Sequence, residues 1–152
     1  MRYLASLVAI GVVGAMAVAG CGGGGSSSGT SGSGGGDFVA GAESACTAAN
    51  KQIAALGTPQ QEQVTQYIEA TEETIEKLHR QVAGLDASGA TETAYVEGLA
   101  EAIPVLTKMG NAARNENFDA VRELSAGLVE IKLGELAEAA ELKSCAEVPV
   151  SA

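Results

Sequence analysis

Glu76 and His79 stand three residues apart in Thr74-Ile75-Glu76-Lys77-Leu78-His79-Arg80. That spacing lets one helix face present two metal ligands, and a di-metal bundle needs two such pairs with further inward glutamates. His79 is the only histidine of the chain, and Glu76 falls off the apolar stripe of its helix. The pair is therefore expected on a solvated face, with no metal and no cofactor. Glu69, Glu72, Glu73 and Glu76 extend it into an acidic stripe. No loop with alternating oxygen ligands and a bend-forming glycine accompanies the stripe, so its expected role is solubility. Glu135 is the other carboxylate with chemical potential, because a helical wheel sets it among Leu128, Ile131, Ala139 and Leu142. Buried there, it would need a cation such as Lys132 and could carry a raised pKa. A slight rotation that puts Leu136 inside sends Glu135 to solvent, and that is the expectation. One histidine also leaves no Ser-His-Asp or Cys-His set for nucleophilic catalysis, and no haem-attachment motif is present.

The chain has 152 residues, a formal charge of −10, 46% hydrophobic residues and 3% aromatics. The acidic balance excludes binding driven by phosphate neutralisation, so no nucleic-acid partner is expected. Arg2 is the only charged residue before Asp37, and Leu4 to Ala19 is an apolar run of small and aliphatic residues. The run is shorter than the roughly 20 residues of a spanning helix and ends in small residues, the layout of a secretory signal peptide. Within it, Val18-Ala19-Gly20-Cys21 resembles the lipobox of bacterial lipoproteins, with valine where leucine is commonest. The resemblance implies cleavage after Gly20, recognition through Val18, Ala19 and Gly20, and a diacylglyceryl group on Cys21. Two acyl chains, at about 0.8 kcal/mol per buried CH₂, anchor a domain that one chain would not. The expected location is extracytoplasmic, anchored to a bacterial cell membrane.

Residues 22–36 contain only Gly, Ser and Thr. Such a stretch cannot bury enough apolar surface to offset its chain entropy, so a flexible tether is expected, spanning roughly 20 Å on average and about 50 Å fully extended. A phosphate-binding glycine loop would require a preceding strand and a following Lys-Ser/Thr, and neither is there. The expected organisation is a signal peptide over 1–20, a lipidated Cys21 with its tether to 36, and a helical domain over 37–152.

From Asp37 the period is helical. The first helix runs to Leu56 with Phe38, Ala42, Cys46, Ala49, Ile53 and Leu56 on one stripe, and Gly57 closes it. Thr58-Pro59-Gln60-Gln61 reads as cap, helix-starting proline and capping glutamine. Val64, Ile68, Thr71, Ile75, Leu78, Val82 and Leu85 repeat at 4-3 spacing, a bundle-facing seam. Tyr95, Leu99, Ala102, Leu106, Met109 and Ala113 continue the spacing in a third helix, with Pro104 off the seam. A fourth helix follows the Asn117 cap to about Leu142, with Val121, Leu124, Leu128, Ile131, Ala139 and Leu142 inward. Gly127 and Gly134 are expected to admit a neighbouring backbone. The fold class predicted is all-α, an antiparallel up-down four-helix bundle whose Ala-rich core leaves little room for a ligand.

With Cys21 lipidated, Cys46 and Cys145 remain as a pair in an oxidising compartment, which favours a disulfide over two free thiols. The bridge would close a loop of about 100 residues. Cys46 stands about 15 Å along its helix from Leu56, whereas the fourth helix would be nearly 40 Å long. Helices of equal height would separate the sulfurs. Either the 57–61 connection climbs along the bundle, or the fourth helix breaks near Gly134 or Leu142 and the chain turns back. Cys46, Asn50, Ile53, Pro59 and Cys145 also resemble the pattern of small actinobacterial-type helical lipoproteins with a disulfide. In those a Leu-Gly-Leu commonly precedes the last cysteine, where this chain has Ala140-Glu141-Leu142. That resemblance implies fold and location only. The expected function is a non-enzymatic, lipid-anchored accessory or interaction module with an envelope protein as possible partner. A small-molecule or metal-binding bundle is the alternative.

Overall fold

A computed structural model describes residues 34–149. Val18, Ala19, Gly20, Cys21 and most of the Gly/Ser segment lie outside the described residues. Within them the protein is all-α, with no strand. Helix α1 spans Gly34–Leu56, α2 Val64–Ala83, α3 Ala90–Arg114, α4 Phe118–Glu130, α5 Leu133–Ala139 and α6 Lys143–Ala146. No helix among the described residues is long and apolar enough to cross a membrane.

Helix α1 starts at Gly34, three residues inside the segment read as tether. Once Phe38 is pinned in the core at 1% exposure, extending the helix costs far less than nucleating it, and Asp37 in the first turn suits the helix dipole. Phe38, Ala42, Cys46, Ala49 and Ile53 are buried as one stripe, whereas Leu56 is 41% exposed. Gly57 ends the helix at φ +69°, the left-handed conformation in which glycine pays no Cβ penalty. The second helix does not begin at Thr58-Pro59. A single 3₁₀ turn over Gln61–Gln63 precedes it, and the Gln60 amide donates to Gln63 Oε1 at 3.2 Å.

The 4-3 seams of α2 and α3 form the centre. Ile68, Thr71, Ile75, Leu78 and Val82 of α2 are buried, as are Tyr95, Leu99, Ala102, Leu106, Met109 and Ala113 of α3. Pro104 lies inside α3 with its ring exposed. Helix α2 packs between α1 and α3, and α4 packs on α3.

The segment expected as a fourth helix to about Leu142 holds two helices, α4 and α5, with α6 just beyond. The breaks fall near Gly134 and Leu142, where the cysteine spacing allowed the chain to turn back. Lys132 takes φ 58° between α4 and α5, and Glu141 takes φ 60° between α5 and α6. At the second break the Leu142 amide donates to the Ala137 carbonyl at 2.8 Å and the Glu141 amide to Glu138 at 3.0 Å. This is a Schellman closure with glutamate in the place usually held by glycine. Leu142, fully buried beyond it, supplies the hydrophobic contact of that motif. Glu116 ends α3 in the same way, with Asn117 N–H to Ala112 O at 2.9 Å and Glu116 N–H to Ala113 O at 3.0 Å. Asn117 then caps α4, accepting from Ala120 N–H at 3.1 Å.

The breaks fold the chain back, so that α5 packs on α3, α6 on α5, and α6 on α1. They also reset the helical phase. Leu133, Ala137 and Ala140 are buried while Ala139, expected inside, is exposed. In α4 only Leu128 is fully buried, and Val121 and Leu124 are half-covered. Gly127 faces open space, so no backbone approaches it; a Cβ on Gly134 would make only an ordinary contact with the Ala146 carbonyl at 3.6 Å. Close approaches occur instead to side-chain ends, at Gly98 of α3, where a Cβ would stand 2.7 Å from Leu136 Cδ1 and 3.1 Å from Leu133 Cδ2, and at Gly41 of α1, where it would stand 2.8 Å from Leu85 Cδ1.

Candidate functional site

Two features concentrate chemistry or space: a polar clamp around the cystine, and an apolar groove beside α4. The clamp rises from residues 43, 46 and 50 of α1, which share one helix face. Cys46 is bonded to Cys145 of α6, with 4.9 Å between the Cα atoms, and both residues are buried. Glu43 accepts from the Ser144 amide through both carboxylate oxygens, at 3.2 and 3.0 Å. It thereby satisfies an amide of the first turn of α6 that has no partner within the helix. Hydrogen bonding from Ser144, side chain first and then amide, holds the Glu43 carboxyl below the usual range against the opposing effect of partial burial. Asn50 Nδ2 donates to the Ser144 carbonyl at 2.7 Å, while its Oδ1 is buried without a partner. From α3, the Tyr95 hydroxyl lies 3.4 Å from Cys46 Sγ. A cystine sulfur has no proton, so the phenol donates. Burial, and then the nearby Glu43 charge, push the Tyr95 phenol up. The clamp holds α6 to α1; its one redox-active group is sealed in the core.

Glu92 was not singled out by sequence reasoning, though it is one of the few buried polar residues. Its Oε2 accepts from Ser88 N–H at 2.8 Å and Gly89 N–H at 2.9 Å, closing the start of α3. The signal was present, since a glutamate at the third position of a helix reaches back to the cap amide. Glu43 was missed too. Only the tertiary return of α6 gives it a partner.

Of the carboxylates weighed from the sequence, Glu135 reaches solvent and pairs with Lys132 at 3.1 Å, both side chains more than half exposed. Ile131 and Leu136 are half-buried beside it. Glu76 pairs with Arg80 at 3.3 Å, and His79 is half-buried. Glu69 pairs with Arg114, and Thr107 of α3 donates to Glu72 at 2.5 Å. Two members of the acidic stripe thus bind α2 to α3.

The groove has a volume of about 360 Å³. Val64, Tyr67, Ile68 and Thr71 line it from α2, Leu106 and Met109 from α3, and Phe118, Val121, Arg122 and Ser125 from α4, with Pro59 and Pro149 at its margins. Its α4 side is the N-terminal half of that helix, where Phe118 and Val121 are only half-buried. This corrects the expectation of a core with little room. The Thr71 hydroxyl donates to the Tyr67 carbonyl and the Ser125 hydroxyl to the Arg122 carbonyl, each at 2.8 Å. The Tyr67 phenol and the Arg122 guanidinium are the remaining polar groups of the lining.

A family model described as HisG: ATP phosphoribosyltransferase matches residues 34–144, about three quarters of the chain and nearly the whole helical region. That match overturns the expectation of a non-enzymatic module, since the family is one of enzymes. No curated protein and no solved structure matches the chain.

Proposed function

The chain belongs to the HisG (ATP phosphoribosyltransferase) family; from its N-terminal sequence and from the groove, not from that match, we propose that it works as a lipid-anchored, extracytoplasmic domain that binds a small organic ligand in the groove of α2, α3 and α4. In this reading α1, α2, α3 and the broken α4–α6 segment run up and down as a four-part bundle. The groove carries the proposal. Its volume of about 360 Å³ falls in the range of small-molecule sites, which are concave, mostly apolar and furnished with few polar groups. The address rests on the signal-peptide layout and on Val18-Ala19-Gly20-Cys21. Mass spectrometry of the membrane-extracted protein is expected to find residues 1–20 removed and a diacylglyceryl adduct on Cys21. An intact N-terminus defeats the address.

For the groove, the full chain in lipid nanodiscs is irradiated with a small neutral photoreactive hydrocarbon, and the labelled peptides are mapped. Labelling of the α2, α3 and α4 peptides that Val121→Trp abolishes, with its melt unchanged, supports the site. Labelling indifferent to that substitution removes it. The family match favours a second reading, phosphoribosyl transfer with ATP as substrate, which an assay with ATP and an activated phosphoribosyl donor tests directly. Among the described residues Arg122 is the only cation lining the groove, so a triphosphate would find one counter-charge there, while Tyr67 and Phe118 supply aromatic rings for a base.

A further inference from the structure

We infer that the groove of α2, α3 and α4 is specific for a free single-chain anionic amphiphile, with its tail among Ile68, Leu106, Met109, Phe118 and Val121 and its carboxylate at Arg122. The inference rests on the ligand-binding reading above and gives that site its chemical class. The walls supply aliphatic side chains, a thioether and two aromatic rings, which match a flexible hydrocarbon better than a polar ring. Met109 is unbranched and able to repack around chains of different length. The hydroxyls of Thr71 and Ser125 are already engaged by backbone carbonyls, which leaves the Tyr67 phenol and the Arg122 guanidinium as the polar groups a ligand meets.

The polar end is equally constrained. Among the described residues Arg122 is the single charged lining residue, and its ion-pair partner there is Asp119, 3.1 Å away and one turn earlier in α4. Their side chains are 78% and 91% exposed, and such pairs contribute little to stability. A ligand carboxylate can therefore take Asp119's place at the guanidinium at small cost, and with bidentate geometry. The net charge of −10 opposes an approaching anion, but salt screens that field within about 8–10 Å. The local cation decides the orientation.

The full chain in nanodiscs is labelled with photoreactive decanoate, decyl-trimethylammonium and decanol probes, and competed with unlabelled alkanoates of six to twelve carbons. Decanoate is expected to label the α2, α3 and α4 peptides more strongly than the other two probes. Arg122→Gln should lower its labelling about threefold, to the level of decanol, as for one exposed ion pair. Each two-carbon extension of the competitor should tighten competition about tenfold. Val121→Trp should abolish labelling; if its melt shows that it does not fold, Ser125→Phe occludes the same groove from the next turn. Equal labelling by the cationic probe, no dependence on chain length, or labelling only by a photoreactive phospholipid of the disc overturns the inference. If the neutral hydrocarbon labels the groove while decanoate has no advantage, the amphiphile falls and the ligand site stands. If neither labels it, both fall.

Discussion

Glu43 shows how much one side chain depends on a segment a hundred residues away. Its carboxylate completes the first turn of α6 through the Ser144 amide, and its folded pKa lies below the ordinary value. A depressed carboxylate stabilises the native state above the unfolded value, about 4.3, and loses that contribution as pH falls through its folded value. Glu43→Gln should therefore lower the melting temperature most at pH 6–7, and the gap to the parent should close near pH 3. A gap constant across that range would show that charge on Glu43 is immaterial to α6. No feature of the residues around position 43 distinguishes it from the exposed Glu135. Its partner, not its neighbours in sequence, makes it matter. Glu135 behaves as the wheel allowed, because its own helix, α5, presents Leu133 and Ala137 inward.

At the scale of helices, the crowded glycine of α3 is not one of the two expected to admit a neighbour. Gly127 lies in α4 with nothing within 4 Å of an added Cβ, so Gly127→Ala should stabilise the protein by about 0.5–1 kcal/mol through helix propensity alone. Gly98→Ala has the same intrinsic gain but drives a methyl into Leu136 and Leu133, and overpacking costs about 1–3 kcal/mol. Urea unfolding should rank Gly98→Ala below Gly127→Ala by about 1–3 kcal/mol; equal midpoints would mean that α5 gives way freely. The 4-3 periodicity made the inner faces of α1, α2 and α3 legible. Gly98 flanks the Tyr95–Leu99 seam, a signal that could have been read, but which helix leans on it depends on where the fourth helix breaks.

For the molecule as a whole, the decisive closure is the Cys46–Cys145 bond, which links residues 99 apart. On the chain-entropy account a loop of that size is worth about 4–5 kcal/mol, a large share of the roughly 5–15 kcal/mol of a typical domain. Replacing both cysteines by alanine should lower the melting temperature by more than about 10 °C. Both sulfurs are buried, so reductant should act on the native protein slowly and much faster once denaturant opens it. Identical melts for the parent and the double variant would reduce the bridge to an idle crosslink.

The sequence by itself determined the all-helical class and, Leu56 apart, the inward stripes of the first three helices, because apolar spacing is a local property that any core must respect. It determined that Asn117 caps α4, because a side-chain cap acts over three residues. The cysteine spacing allowed a break near Gly134 or Leu142; only the tertiary structure decided that both occur and which residues make them. The turning points are Lys132 and Glu141, residues with no intrinsic preference for positive φ, and each left-handed residue costs about 1–2 kcal/mol. That cost is met only when α5 buries Leu133 and Ala137 against α3 and α6 brings Cys145 to α1. The groove is likewise tertiary, since it forms where α2, α3 and α4 meet and no local pattern encodes how closely three helices approach.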